Sequence, residues 1–445
     1  MIGRDIVHRF GICSCGRDHG GARAAGPDTP DAAIAQGVEQ ALLHGLFPSA
    51  RTRRQVLAAV GAGAVLDALA SLLPIGALEA MAADDKAAPE KKELQVGFLA
   101  ITCATPLIMA EHLGIYAKHG LAVKLQKTPG IALLRDKLIN GEYDLTQQVM
   151  PVPITVSMGI GSLADPTRVL TIQNQHGNSL VLAMKHRDNR DPKNWKGFRF
   201  AVPFEQSHQA MLLRYYLAEH GLDPDQDVSY RVVPPSEYVS NLRTGNIDGF
   251  FGGEPGGQRA VYEGAGFIHL LSQEIWPGHP CCAFIARAAW IEAHPNTFLA
   301  AYRAVVEASV FVSDQKNRSG IASVLAQQTY LNAPEVVIEQ VISGRYADGL
   351  GGIKTVANRI VFDPFPHYSM AIWLMTQLKR WGMIKGDVDY RRIAEQVMLA
   401  TDAKKRFAEL GLPAPDPDRK EVIMGKVFDP AKPDAYIESF PIRRT

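Results

Sequence analysis

The same order of elements occurs twice in this chain, and that repetition limits what it can fold into. From Glu93 the apolar pattern reads as a strand (Leu94 to Leu99), a helix (Pro106 to Leu113), a strand (Leu121 to Leu125) and a helix (Ile131 to Ile139). Gly141-Glu142-Tyr143-Asp144 then leads into a third strand. From Phe198 the order repeats: strand to Val202, helix His208 to Glu219 behind a Ser207 N-cap, strand Tyr230 to Val233, helix Pro235 to Leu242. Gly245-Asn246-Ile247-Asp248 follows, again with a strand after it. Strands alternating with helices call for parallel pairing in a doubly wound sheet. Two such runs predict an α/β protein of two lobes with a ligand cleft between them.

Arg168 to Ile172 and Ser179 to Ala183 read as core strands, and the polar turn Lys185 to Lys196 marks a boundary. Residues 83–185 are thus expected in the first lobe and 186–280 in the second. Residues 281–412 return to the first lobe, mainly as helix, and the Pro- and Asp-rich tail 413–445 is expected to lie over the surface. A chain of 445 residues is too long for one compact core. Apolar content of 47% and charged content of 21% are those of an ordinary globular protein. A net charge of +1 gives no sign of a nucleic-acid partner.

Ahead of the lobes, Thr52-Arg53-Arg54-Gln55-Val56-Leu57 opens an apolar stretch that runs to Leu78 and ends at Ala80-Met81-Ala82. Charged start, apolar middle and small-residue exit read as a twin-arginine signal peptide over residues 51–82. It predicts export to the periplasm by the twin-arginine translocase, already folded. The stretch is also long enough to span a bilayer, so a retained anchor is the alternative. Asp67, the many Ala and Gly, and the polar Asp84-Asp85-Lys86 favour cleavage. No Cys stands at the cleavage site, so a lipid anchor is not indicated. Residues 1–50 hold His8, Cys13, Cys15 and His19 but few apolar side chains; they read as a disordered leader, with metal or redox chemistry the lesser reading. Cys103, Cys281 and Cys282 remain after the signal. Three cysteines make no disulfide framework; free thiols or one bridge to Cys103 fit. Vicinal thiols read first as buried packing.

Several segments resemble the substrate-binding proteins of nitrate and bicarbonate ABC transporters, the NrtA/CmpA-like family, over nearly all of residues 93–400. They are Ala110 to Tyr116 with Gly120-Leu121, Arg135-Asp136-Lys137-Leu138 with Gly141 to Asp144, and Val232-Val233-Pro234-Pro235. Gly245 to Phe250, Gly253-Glu254-Pro255 and Trp373 to Gly382 complete the match. The resemblance implies a two-lobe, type II-like periplasmic receptor that closes on a small solute and delivers it to a permease and ATPase at the membrane. No enzyme activity, cofactor or metal is implied for this chain.

The turn Thr102-Cys103 enters a helix whose N-terminus suits an anion, with an ordinary capped turn the equal alternative. Family resemblance places further contacts at Ile131, Asn178, His208 or Gln209, and Cys282. Nitrate binders carry Trp where Ile131 falls. Asn178 stands where the family has Gln, and the family's anion-binding His falls on Gln209, one residue after His208. Cys282 takes the place of a Lys in nitrate binders and of an acidic, metal-assisting residue in bicarbonate binders. Glu254, in the return loop, either lines the cleft or holds the loop. These departures imply a small anion or small polar solute other than nitrate, or nitrate held through neutral donors; cyanate and sulfonates are alternatives. A sensory receptor on the same fold is the competing class.

Overall fold

The computed structural model describes residues 88–400, 403–404 and 415–444. The twin-arginine segment and the Cys- and His-bearing leader lie outside the described residues. No helix among the described residues is long and apolar enough to cross a membrane.

In chain order the strands are β1 (Glu93–Leu99), β2 (Ala122–Thr128), β3 (Leu145–Val149), β4 (Thr167–His176), β5 (Asn178–Ala183), β6 (Arg199–Val202), β7 (Ser229–Val232) and β8 (Gly249–Gly253). They continue with β9 (Gly266–Leu271), β10 (Pro280–Arg287), β11 (Arg345–Ala347), β12 (Ile353–Thr355), β13 (Ile360–Val361), β14 (Glu421–Ile423) and β15 (Lys426–Phe428). The helices that matter below are α1 (Thr105–His112), α2 (Ile131–Ile139), α3 (His208–Glu219), α4 (Gly256–Tyr262), α5 (Pro295–Ser313), α6 (Tyr368–Arg380) and α7 (Pro433–Glu438).

One sheet has the order β13-β4-β10-β3-β1-β2 and the other β7-β6-β8-β5-β9. Apart from β13 the two are the same design. A parallel trio (β2-β1-β3 or β7-β6-β8) is extended by one antiparallel strand, β10 or β5, and then by β4 or β9. β3, β4 and β5 are buried along their whole length, as strands covered on both faces must be.

The repeated Gly-x-x-Asp has one physical role in both lobes. Gly141 and Gly245 take left-handed backbone (φ 73° and 70°) where each helix ends. Three residues on, Asp144 accepts from the Gln95 amide (2.9 Å) and pairs with Lys91, while Asp248 accepts from the Arg199 amide (3.0 Å) and pairs with Lys185. Each carboxylate thus ties the entrance of the third parallel strand to the first. Burial opposes ionisation of Asp248, but Lys185, the Arg199 amide, His186 and the Arg199 side chain outweigh it and hold the carboxyl well below the usual range.

The chain crosses between sheets at Gly177, earlier than the Lys185–Lys196 turn, because β5 pairs with β8 and β9 rather than beside β4. Glycine is needed there. Gly177 has φ 74°, and a Cβ would stand 3.0 Å from Ile360 Cδ1 and 3.1 Å from Asn174 Nδ2. The chain returns at β10. The hairpin β11–β12 reaches back to the second lobe, where Tyr346 is buried with Val181, Phe250 and Ile268.

The tail does not lie over the surface. Ile423, Phe428, Tyr436, Ile437 and Phe440 are buried in the same apolar core as Tyr215 of α3 and Trp373 of α6. That core also takes in Ile172 of β4 and Leu180 of β5, so it runs through both lobes. The spacing of these side chains on β14, β15 and α7 gives the tail an apolar face that its Pro and Asp content conceals.

Candidate ligand-binding site

Between the lobes the two sheets offer their strand ends to one another. From the first lobe comes the turn after β1, in which residues Thr102–Ala104 form a short 3-10 helix leading into α1. Strand β10 supplies Cys281 and Cys282. The second lobe contributes Asn178, at the start of β5, and the first turn of α3. Ser207 caps that helix by accepting from the Ala210 amide, so His208 and Gln209 are fixed at its first two positions.

Three thiols meet here. Cys103 Sγ lies 3.3 Å from Cys281 Sγ, Cys281 Sγ lies 3.9 Å from Cys282 Sγ, and the three sulfurs all fall within 4.8 Å. All three are fully buried and free. Neighbouring residues on a strand normally point to opposite faces. The pairing of β10 with β4 slips between Pro280 and Cys282, so that two residues of β10 stand against one step of β4. This bulge carries Cys281 round to the side of Cys282. Leu99, Ile101, Ile131, Val149 and Val152 form the apolar wall behind the sulfurs.

Polar groups complete the surround. Asn178 Nδ2 donates to Cys281 Sγ (3.3 Å), and Asn178 Oδ1 accepts from Gln209 Nε2 (3.0 Å). His208 is held by the Met150 carbonyl, which accepts from its backbone N–H (2.7 Å) and faces its Nδ1 (3.1 Å). With Nδ1–H donating to that carbonyl, Nε2 keeps its lone pair. It is buried and has no partner. Asn174 Oδ1 and Gln209 Oε1 are also buried without partners. Burial pushes the Cys103 and Cys282 thiols well up. Burial acts the same way on Cys281, but hydrogen bonds from Cys103 and Cys282 and the neighbouring His208 ring outweigh it and hold that thiol well below its usual range.

Thr102 and Glu254 sit at the same seam in another role. The Glu254 carbonyl accepts from the Thr102 amide (2.8 Å) and from Thr102 Oγ1 (3.1 Å), joining one lobe to the other. The Glu254 carboxylate is fully engaged by Arg359 (2.6 Å), Ser179 Oγ (2.9 Å) and the Gln258 amide (2.9 Å). Through these three bonds it holds the return loop. Gly257 allows this approach, since a Cβ there would stand 1.9 Å from Ser179 Oγ.

Of the residues expected at the site, Cys103, Ile131, Asn178, His208, Gln209 and Cys282 come together. Both His208 and Gln209 face the seam, one through Met150 and the other through Asn178. Cys281 and Asn174 were not singled out as contacts. The polar run Gln173-Asn174-Gln175-His176 inside a fully buried strand was the available signal for Asn174.

Two α/β lobes of one design, joined at Gly177 and β10 around a buried polar seam, have the periplasmic-binding-protein fold. A family model, the NMT1-like family, matches residues 87–326. The chain belongs to that family, in the nitrate- and bicarbonate-binding branch of NrtA and CmpA. The nitrate/nitrite binding protein NrtA of Synechococcus elongatus is 30% identical over 389 residues, covering 80% of this chain and 88% of that protein. The bicarbonate-binding protein CmpA of Synechococcus is 27% identical over 399 residues, with the same coverage. The nitrate import ATP-binding protein NrtC of Synechocystis is 31% identical over 378 residues, but the chain spans only 56% of its length. The crystal structure of periplasmic nitrate-binding NrtA from Synechocystis superposes with a TM-score of 0.77 at 28% identity, covering 80% of this chain and all of the other.

Proposed function

We propose that this chain is the solute-binding component of an ABC importer, exported to the periplasm through its twin-arginine signal. It captures one small solute between its lobes, without turnover, and presents it to a membrane permease and its ATPase. The observation that carries this reading is the set of buried polar atoms without partners at the seam: His208 Nε2, Asn174 Oδ1 and Gln209 Oε1. Leaving such groups unpaired costs about 1–3 kcal/mol each, a cost that a bound solute would relieve. Contacts across the seam (Thr102 to Glu254, His208 to Met150, Asn178 to Cys281) exist only with the lobes together. They provide the closed-state interactions that a closing receptor needs.

The relatives named above make small anions the first candidates. Against nitrate stands Cys282 at the position of the nitrate binders' lysine, which removes the direct charge pair. A nitrate ion would have to rely on neutral N–H donors, which the acceptor atoms His208 Nε2, Asn174 Oδ1 and Gln209 Oε1 do not supply. Titration calorimetry of the purified protein against nitrate, nitrite, bicarbonate, cyanate and small alkanesulfonates tests the reading. Saturable one-to-one binding of one of these supports an anion receptor. Tight nitrate binding would overturn the argument from the lost lysine.

A further inference from the structure

The seam holds a constellation that small anions do not account for. We propose that Cys103, Cys281 and Cys282 form a three-thiolate site for a thiophilic divalent cation of the zinc class, with the fourth position left to His208 of the other lobe, whose ring must turn toward the sulfurs to reach it. The inference rests on the chain being a solute-binding component and names the chemical class of its solute.

Geometry is the first argument. Three sulfurs bound at about 2.3 Å to one zinc ion stand about 3.8 Å apart at tetrahedral angles. Here the measured separations are 3.3 and 3.9 Å, with all three sulfurs inside 4.8 Å. Small side-chain adjustments reach the ideal, whereas a disulfide requires about 2.05 Å between one pair and leaves the third thiol idle.

The fourth position is the second argument. His208 Nε2 is buried without a hydrogen-bond partner, while its Nδ1 faces the Met150 carbonyl at 3.1 Å; the ring is not among the ligand atoms that lie within 4.8 Å of one another, so it joins the three sulfurs only on turning toward them. Metal-binding histidines characteristically donate their other ring N–H to a carbonyl or carboxylate in this way. Asn178 Nδ2 donates to Cys281 Sγ, the kind of hydrogen bond that steadies a ligating thiolate. Soft sulfur ligands with one imidazole select zinc over magnesium or calcium, which take oxygen.

Placement of the ligands supplies the third. The sulfurs belong to the first lobe, on β10 and the turn after β1; His208 begins α3 of the second. A cation could bind the three sulfurs with the lobes apart and gain the imidazole only as they close. That differential contact is what drives closure in a two-state receptor. Binding displaces thiol protons to solvent, so affinity rises with pH.

The test uses the full chain, reduced and stripped of metal. Zinc is titrated in competition with a chromogenic chelator, and cobalt(II) serves as the spectroscopic probe. One ion per chain is expected, with intense thiolate-to-cobalt charge transfer. Cys282→Ser should weaken zinc binding by at least ~100-fold, and His208→Gln by at least ~10-fold, with small-angle scattering showing less compaction on adding zinc. Circular dichroism of each variant establishes that it folds. Sub-stoichiometric zinc, a cobalt spectrum without thiolate bands, or unchanged affinity in folded Cys282→Ser would overturn the proposal. If zinc fails while one anion of the calorimetric panel binds, the receptor reading stands and this inference falls. If neither binds, both fall.

Discussion

Replacing Glu254 with Gln tests how the return loop is held. The carboxylate is fully buried, as is the Arg359 guanidinium at 1% exposure. Its oxygens accept from three donors: Arg359 Nη2 at 2.6 Å, Ser179 Oγ at 2.9 Å and the Gln258 amide at 2.9 Å. Glutamine keeps the shape but offers one acceptor oxygen and one NH2 group. Whichever way it turns, the NH2 meets either Arg359 and Ser179 or the Gln258 amide, and donors face donors. Arg359 also keeps its charge with no carboxylate to balance it, although Gln258 Oε1 (2.7 Å) and the Tyr346 ring (4.3 Å) remain. Breaking one side of such a pair costs about 3–5 kcal/mol. Urea unfolding of the two proteins, with slopes of about 3 kcal/mol/M, would place the variant's midpoint at least ~1 M lower. The double variant Glu254→Leu with Arg359→Met should recover much of the loss, because an apolar replacement removes both buried charges. A loss below about 1 kcal/mol for Glu254→Gln would refute the claim that this network locks the loop.

Acidification should weaken the fold through His269, whose pKa is lowered to about 4, first by burial and then by His220, Arg190 and Lys354. A folded pKa below the unfolded one gives stability that is complete above about pH 6.5 and lost as pH falls toward 4. Chemical denaturation at pH 7 and 4.5 should show His269→Gln losing ~2–3 kcal/mol less than the parent over that interval, and parallel profiles would refute the assignment. Phe440→Ala should cost about 3–5 kcal/mol in the same assay, since Phe440 is buried against Tyr215 and Tyr436; a change near zero would mean that the tail is not part of the core.

Local signals in the sequence were sufficient for the elements and insufficient for their partners. The helices at Ile131–Ile139 and His208–Glu219 begin and end where the pattern put them, because Gly141 and Ser207 act on the adjacent turn alone. The doubled Gly-x-x-Asp foretold two like lobes, because each Asp bonds a strand of its own repeat. Which sheet β5 joins depends on β8 and β9, far along the chain, and no local pattern around Ser179 encodes it. The same limit applied at the site. Cys281 and Cys282 would face opposite ways on a regular strand, and only the slip against β4 brings them together. Glu254 was ambiguous because its use is decided by Arg359, more than a hundred residues later.

The carboxyl-terminal segment binds the two lobes to each other through aromatic side chains. Phe440 and Tyr436 lie against Tyr215 on one side, and Tyr436 reaches Trp373 on the other, so the end of the chain rivets α3 to α6. Parting the halves along that flank would bring aromatic rings into water. The lobes also meet at the polar links Thr102 to Glu254 and His208 to Met150, and at the β11–β12 hairpin, where Tyr346 is buried with Val181, Phe250 and Ile268. Losing the last thirty or so residues would therefore strip the aromatic cover from a core that both lobes share, rather than merely shorten a surface tail.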